Sequence, residues 1–280
     1  MSTNTTRAAA GTTAGARRVL ITGAGSGLGR ALAERFAAAG DRVACVDVDA
    51  GRSERTRAQL AGDGHLALAA DVASDADMQG LHDTIAAQWG GLDLLVNNAG
   101  IASGGTMVET TMAEWHRILD VDLLSVVRGC RLFLPGMLAQ GRGQVINTAS
   151  FAALAGAPGL MTYGVAKAAV VALSEQLRAE VGPRGVRVSV LCPSFFRTNL
   201  CESGIGNPAA MGMARKLMDS APDTVDSVAD RVVADAARDV FMILPTRREP
   251  MRWRLKRWFP ALYRHLLQRQ LRGRASLAKP

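Results

Sequence analysis

The chain has 280 residues, 48% of them hydrophobic, enough to bury one large core, and no shift in composition marks a second domain. A formal charge of +8 suggests nucleic acid until it is located: positions 246–280 hold eleven Lys/Arg against one acid, so the rest of the chain is close to neutral and only the tail is basic. Cys45, Cys130, Cys192 and Cys201 are widely spaced, without a Cys-x-x-Cys pair or a neighbouring His cluster, which argues against a zinc site or a disulfide scaffold and fits a reducing cytoplasm.

Positions 1–17 are rich in Ser, Thr, Ala and Gly and have no apolar core, so they read as a disordered leader rather than a secretory signal. No transmembrane helix is expected. The longest uncharged run, Gly143 to Ala166, is broken by Asn147, Ser150, Pro158 and several glycines. The ordered chain opens at Arg18 with the apolar strand Val19-Leu20-Ile21. A glycine turn carrying Gly23, Ser26, Gly27, Leu28 and Gly29 follows, then the alanine-rich helix Ala31 to Ala39. Strand, glycine turn and helix in that order make an anion site, because backbone without side chains can approach a pyrophosphate and the helix N-terminus presents free N–H groups.

The next strand, from Arg42, ends at Asp47, eighteen residues after Gly29, where a carboxylate can grip a ribose diol. A 2′-phosphate there would face a like charge costing up to about 4 kcal/mol at contact distance, so NAD is favoured over NADP, with Arg52 close enough in sequence to soften the preference. Asp47 could equally serve as the N-cap of a helix starting at Ala50. Leu66 to Ala70 reads as a third strand ending at Asp71-Val72, suited to an adenine ring. Met78 to Trp89 reads as an amphipathic helix, and Leu92 to Val96 as a strand running into Asn97-Asn98-Ala99-Gly100, a sequence of small residues and amides that suits a ligand crevice. A helix starting near Trp115 carries Asp122. Further on, Tyr163 and Lys167 stand four apart at the start of a buried helical run to Val181, so both side chains should share one face. Bringing a phenol from pH 10 towards neutrality takes about 4 kcal/mol; an ammonium about 6 Å away at an effective dielectric near 20 supplies roughly 2.8 kcal/mol of it, and the remainder needs a second positive charge such as an oxidised nicotinamide ring.

Thr22-Gly23-x-x-x-Gly27-x-Gly29, Asp71-Val72, Asn97-Asn98-Ala99-Gly100, Ser150 and Tyr163-x-x-x-Lys167 together resemble the short-chain dehydrogenase/reductase family in its compact, single-domain form, over about residues 18–245. The resemblance implies an α/β fold, a doubly wound parallel sheet of Rossmann type. It implies Tyr163 as general acid/base, Lys167 lowering its pKa and holding the nicotinamide ribose, and Ser150 bonding the substrate oxygen. Asp71, Val72, Asn98 and Gly100 would line the cofactor cleft, with Pro193, Phe196 and Thr198 at the nicotinamide end. A homo-oligomer, dimer or tetramer, is implied as well. Two departures stand out. Pro193-Ser194 replaces the family's Pro-Gly, and Asp122 stands where the family usually has an asparagine that holds a water in the proton relay. An ionised Asp122 accepts hydrogen bonds but cannot donate them, and it opposes ionisation of Tyr163, so a slower reaction with a higher pH optimum is expected.

Asn199 to Pro222, rich in Gly and Met, reads as a lid over an apolar ligand or as a surface excursion. Asp226 to Asp239 reads as a helix and Val240 to Leu244 as the last strand. In the extension 246–280, Trp253, Leu255, Trp258 and Phe259 interleave with Arg252, Arg254, Lys256 and Arg257, followed by Leu262, Leu266, Leu267 and Leu271. This basic amphipathic tail reads as packed on the body or a neighbouring subunit, as a peripheral membrane contact, or, last, as a nucleic-acid arm, for which no base-reading fold is present. The sequence therefore points to an NAD-dependent alcohol dehydrogenase or ketone reductase acting on an apolar secondary alcohol such as a steroid, terpenoid or cyclic alcohol, without a metal. The alternative is a dinucleotide-binding sensor or scaffold with weak turnover, acting through its tail.

Overall fold

The computed structural model describes residues 15–202 and 204–277. Seven parallel strands form the central sheet: β1 (Arg18–Thr22), β2 (Arg42–Asp47), β3 (Leu66–Ala69), β4 (Leu94–Asn97), β6 (Gly143–Thr148), β7 (Val186–Leu191) and β9 (Met242–Ile243), in the order β3-β2-β1-β4-β6-β7-β9. The expected doubly wound parallel sheet is therefore present. Successive strands step one way from β1 to β3 and the other way from β4 to β9, and this reversal between β1 and β4 opens a crevice at their carboxyl ends.

The strands read as unbroken apolar runs because both faces of the sheet are covered. Val19, Ile21, Val43, Cys45 and Val96 pack towards α1 (Gly27–Ala38) and α9 (Val225–Ala237). Their alternates Leu20, Ala44, Val46, Leu95 and Val145 pack towards α3 (Asp75–Trp89), α5 (Ser125–Ala139) and α7 (Met161–Val181). Several boundaries move outward from the sequence reading because caps, not apolar periodicity, set them. Ser74 caps α3 by accepting from the Asp77 N–H, and a Thr111–Glu114 capping box starts α4 (Met112–Leu119) ahead of Trp115. Helix α2 (Ala50–Arg57) is capped by Asp49, which accepts from Arg52 N–H, and not by Asp47. Of the expected leader, residues 1–14 lie outside the described residues. Arg17, at its end, pairs with Asp41 at 2.6 Å and lies over the Phe36 ring.

Two features shape the crevice. A two-residue pairing of β5 (Ser103–Gly104) with β8 (Ile205–Gly206) ties the segment after Thr198 back to the body. That segment is more regular than the sequence suggested: Asn207 caps α8 (Pro208–Asp219), accepting from the N–H groups of Ala209 and Ala210. The tail forms α10 (Glu249–Trp258) and α11 (Pro260–Leu277) and packs on α6 (Ala152–Ala155), with Lys256 donating to the Leu154 carbonyl and Tyr263 to that of Ala155 at 3.0 Å. Of the readings of the tail, packing on the body holds for its inner side. Among the described residues, no helix is long and apolar enough to cross a membrane.

Candidate functional site

The first wall of the crevice is backbone. Gly23 sits at φ +66°, and a methyl group on it would meet Ala99 Cα at 2.9 Å; one on Gly29 would overlap the Gly23 carbonyl oxygen. Thr22 Oγ1 accepts from the N–H groups of Asn98 and Ala99 at 3.0 Å each, and the Asn98 amide donates to the Thr22 carbonyl at 3.0 Å, so Asn98 braces the turn while lining the crevice. Ser26 precedes α1 with no side-chain cap bond, and no acid occupies the helix's first turn. Ser26, Gly27, Leu28 and Gly29 line the crevice, an uncapped helix start of the kind that can receive an anion. Thr198 lies beside this turn, its Cβ 3.6 Å from where a methyl on Gly27 would stand.

Asp47 ends β2 with its carboxylate buried. Oδ2 accepts from Gly25 N–H at 3.1 Å, and Oδ1 accepts from Asp49 N–H at 3.1 Å and from Arg52 Nη2 at 2.8 Å. Gly25 is required here, because a methyl on it would come within 2.6 Å of Asp47 Oδ2. The sequence reading counted Gly25 only as a spacer. Arg52 also lines the crevice, where its guanidinium is paired with the Asp47 carboxylate. Asp71 and Val72 follow β3 into the same crevice, Asp71 Oδ1 held by the Ala73 N–H at 2.9 Å.

At the far end of the crevice, β6 delivers Ser150 and α7 delivers Tyr163 and Lys167. Ser150 Oγ accepts from Ala152 N–H at 3.1 Å and faces Tyr163. Lys167, 3% exposed, donates from Nζ to the Thr148 carbonyl at 3.1 Å and stands 5.8 Å from the centre of the Tyr163 ring. The phenol pKa is raised. Burial is the largest cause and the Asp122 charge the second, with the Ser150 hydrogen bond pulling the other way.

Asp122 comes from a π-helical turn, Asp120–Leu124, between α4 and α5, a local widening that turns its side chain inward. It is 0% exposed. Oδ1 accepts from Ile101 N–H at 2.8 Å, while Oδ2 lies 3.6 Å from Lys167 Nζ and has no hydrogen-bond partner among the described residues. Burial raises its pKa, and Lys167 and the Ile101 N–H oppose that rise. Gly100 makes room for the pair: a methyl there would stand 3.2 Å from Lys167 Nζ and 3.3 Å from Asp122 Oδ1. Beneath them runs a buried chain that the sequence reading did not anticipate: the Asn97 amide donates to Asn147 at 2.9 Å and the Asn147 amide to Ser174 at 3.1 Å. Asn97 was visible only as half of a dipeptide, and nothing local marked its distant partners.

Pro193 accepts at its carbonyl from Phe151 N–H at 2.8 Å, and Phe196 is buried against the sheet while lining the crevice. The Pro-Ser departure has a simple basis. Among the described residues, Asp239 alone of the non-glycines has positive φ, so Ser194 meets no left-handed requirement, and its N–H donates to Thr246 Oγ1 at 3.2 Å. The whole crevice is a cavity of about 960 Å³ running from Gly23 past Tyr163 to Met211 and Met218 of α8 and to Leu255, Tyr263 and Leu267 of the tail.

A sequence model described as short chain dehydrogenase matches residues 17–219. The chain is 36% identical over 224 residues to D-threitol dehydrogenase of Mycolicibacterium smegmatis, covering 78% of this chain and 86% of that protein. It is 34% identical over 230 residues to 2-(R)-hydroxypropyl-CoM dehydrogenase of Xanthobacter autotrophicus, covering 80% and 92%. Among solved structures, a short-chain dehydrogenase/reductase from Burkholderia phymatum in complex with NAD is similar at a TM-score of 0.82 and 31% identity, covering 89% of this chain and 95% of that one. One from Sphingobium yanoikuyae in complex with NADPH is similar at a TM-score of 0.74 and 28% identity, covering 90% and 95%. The chain belongs to the short-chain dehydrogenase/reductase family of oxidoreductases.

Proposed function

We propose that this chain is an NAD-dependent dehydrogenase of secondary alcohols, or reductase of the matching ketones, with Ser150, Tyr163 and Lys167 as its catalytic residues. The observation that carries the reading is their convergence, with Asp122, at the end of one crevice whose other end is a glycine cradle. A bound NAD supplies the hydride acceptor and NADH the donor. In oxidation Tyr163 takes the hydroxyl proton of the substrate while Ser150 donates a hydrogen bond to the same oxygen. In reduction Tyr163 returns the proton to the carbonyl oxygen. Lys167 is held by the Thr148 carbonyl and Asp122, where it favours the phenolate and can bond a ribose hydroxyl. Alignment of substrate against this set carries much of the remaining barrier.

NAD is favoured because Asp47 repels a 2′-phosphate, with Arg52 reducing the margin. The reading divides the chain into a leader to residue 17, a dehydrogenase domain over 18–245 and the extension 246–280. Buried free thiols at Cys45, Cys130, Cys192 and Cys201 support a reducing, cytoplasmic setting. Trp258 and Phe259, 74% and 60% exposed beside Arg254 and Arg257, support contact of the tail's outer side with a lipid surface or with a second copy in a homo-oligomer.

The test is NADH absorbance during incubation with NAD, or in parallel NADP, and a panel of secondary alcohols. Turnover with NAD that Tyr163→Phe abolishes supports the reading. The buried Asp122 carboxylate beside Lys167 favours one rival, a dinucleotide-binding sensor, and tight NAD binding without turnover on any alcohol up to pH 10 would select it.

A further inference from the structure

The far wall of the cleft comes from the tail. Leu255, Tyr263, Leu266 and Leu267 line the same cavity as Ser150 and Tyr163, although they belong to α10 and α11, beyond the stretch that matches the family. Their position is fixed: Tyr263 donates to the Ala155 carbonyl at 3.0 Å, Lys256 to that of Leu154, and Trp253 packs against the main core. Opposite them, α8 contributes Met211 and Met218. The crevice as a whole, glycine cradle included, has a volume of about 960 Å³, and the side chains that α8 and the tail contribute to its lining are mostly apolar.

Resting on the reaction proposed above, we infer that α10 and α11 are a specificity wall, and that the substrate is an elongated apolar secondary alcohol or ketone whose chain lies between α8 and this wall. Short hydrophilic diols leave Leu255, Leu266 and Leu267 in contact with water and gain nothing from them. Each buried methylene of an apolar chain is worth about 0.8 kcal/mol, so affinity should rise about fourfold per added carbon until the wall is covered.

The test uses the full chain with NADH and measures, by calorimetry, the binding of 2-butanone, 2-hexanone, 2-octanone and 2-decanone, so that it does not depend on turnover. The expected result is an affinity that climbs about fifteenfold at each two-carbon step until the wall is covered. Leu267→Ser should flatten the climb for the two longest ketones, and Leu267→Met, which keeps an apolar side chain, should restore it. Equal affinity for all four ketones, or a climb that Leu267→Ser leaves intact in a protein with an unchanged melting temperature, overturns the wall. A length-dependent affinity with no turnover of the matching alcohols would uphold the wall and refute the proposed reaction.

Discussion

The two ends of the crevice are built by different means. At the phosphate end, main chain does the work: Gly23, Gly25 and Gly29 are there because a single added methyl would strike Ala99, Asp47 or the Gly23 carbonyl. At the substrate end, side chains from α8, α10 and α11, separated by tens of residues from Tyr163, assemble the wall. A backbone-built site tolerates almost no substitution and so writes its requirement into a short motif, whereas a side-chain-built wall can be assembled from many apolar residues and writes none.

The proposed chemistry rests on Ser150, Tyr163 and Lys167, so the largest effect should come there. Tyr163→Phe should lower kcat about 10³-fold with little change in NAD affinity, read from steady-state rates beside a fluorescence titration. At the phosphate end, Gly29→Ala should weaken NAD binding on the order of 100-fold, since overpacking against backbone costs up to about 3 kcal/mol. A wild-type affinity there would mean that the turn relaxes cheaply. Asp47→Ala removes a charged hydrogen-bonding partner worth about 1.5–3 kcal/mol and should reduce the preference for NAD over NADP by at least tenfold. Equal preference before and after would mean that Asp47 does not set the selection.

The smallest shift tests the buried pair. Asp122 is the second cause of the raised Tyr163 pKa, so removing its charge should lower that pKa. Oxidation needs the phenolate, and its rate climbs with pH through the Tyr163 pKa. Asp122→Asn should therefore move the rising limb of the pH profile to lower pH, by about one unit. An unmoved limb would leave Asp122 as a structural counter-ion for Lys167.

The sheet, the glycine turn and the Tyr163/Lys167 pair were legible in the sequence because each rests on local spacing: short unbroken apolar runs, a turn followed by a helix, and an i,i+4 pair on one helix face; Ser150 joined them through the family resemblance. The same spacing put Lys167 beside the Tyr163 ring, but not the burial and the Asp122 charge that raise the phenol's pKa, and burial cannot be read from a motif. The π-helical turn that aims Asp122, the Asn97–Asn147–Ser174 chain and the tail's seat on α6 are contacts between distant segments, and no local pattern announces them. Likewise, Asp49 in place of Asp47 as the cap of α2 depends on which carboxylate reaches the Arg52 N–H, a choice that two nearby acids leave undecided in sequence.

The most direct test of the central claim is deuterium transfer from 2-octanol labelled at its carbinol carbon to NAD, followed by mass spectrometry in the wild type and in Tyr163→Phe. The account predicts one deuterium delivered to the NADH formed by the wild type, with a slower rate than for unlabelled alcohol, and none above background in Tyr163→Phe. Transfer that persists undiminished in Tyr163→Phe, or NAD that binds and acquires no deuterium from this or any other labelled alcohol, would contradict it.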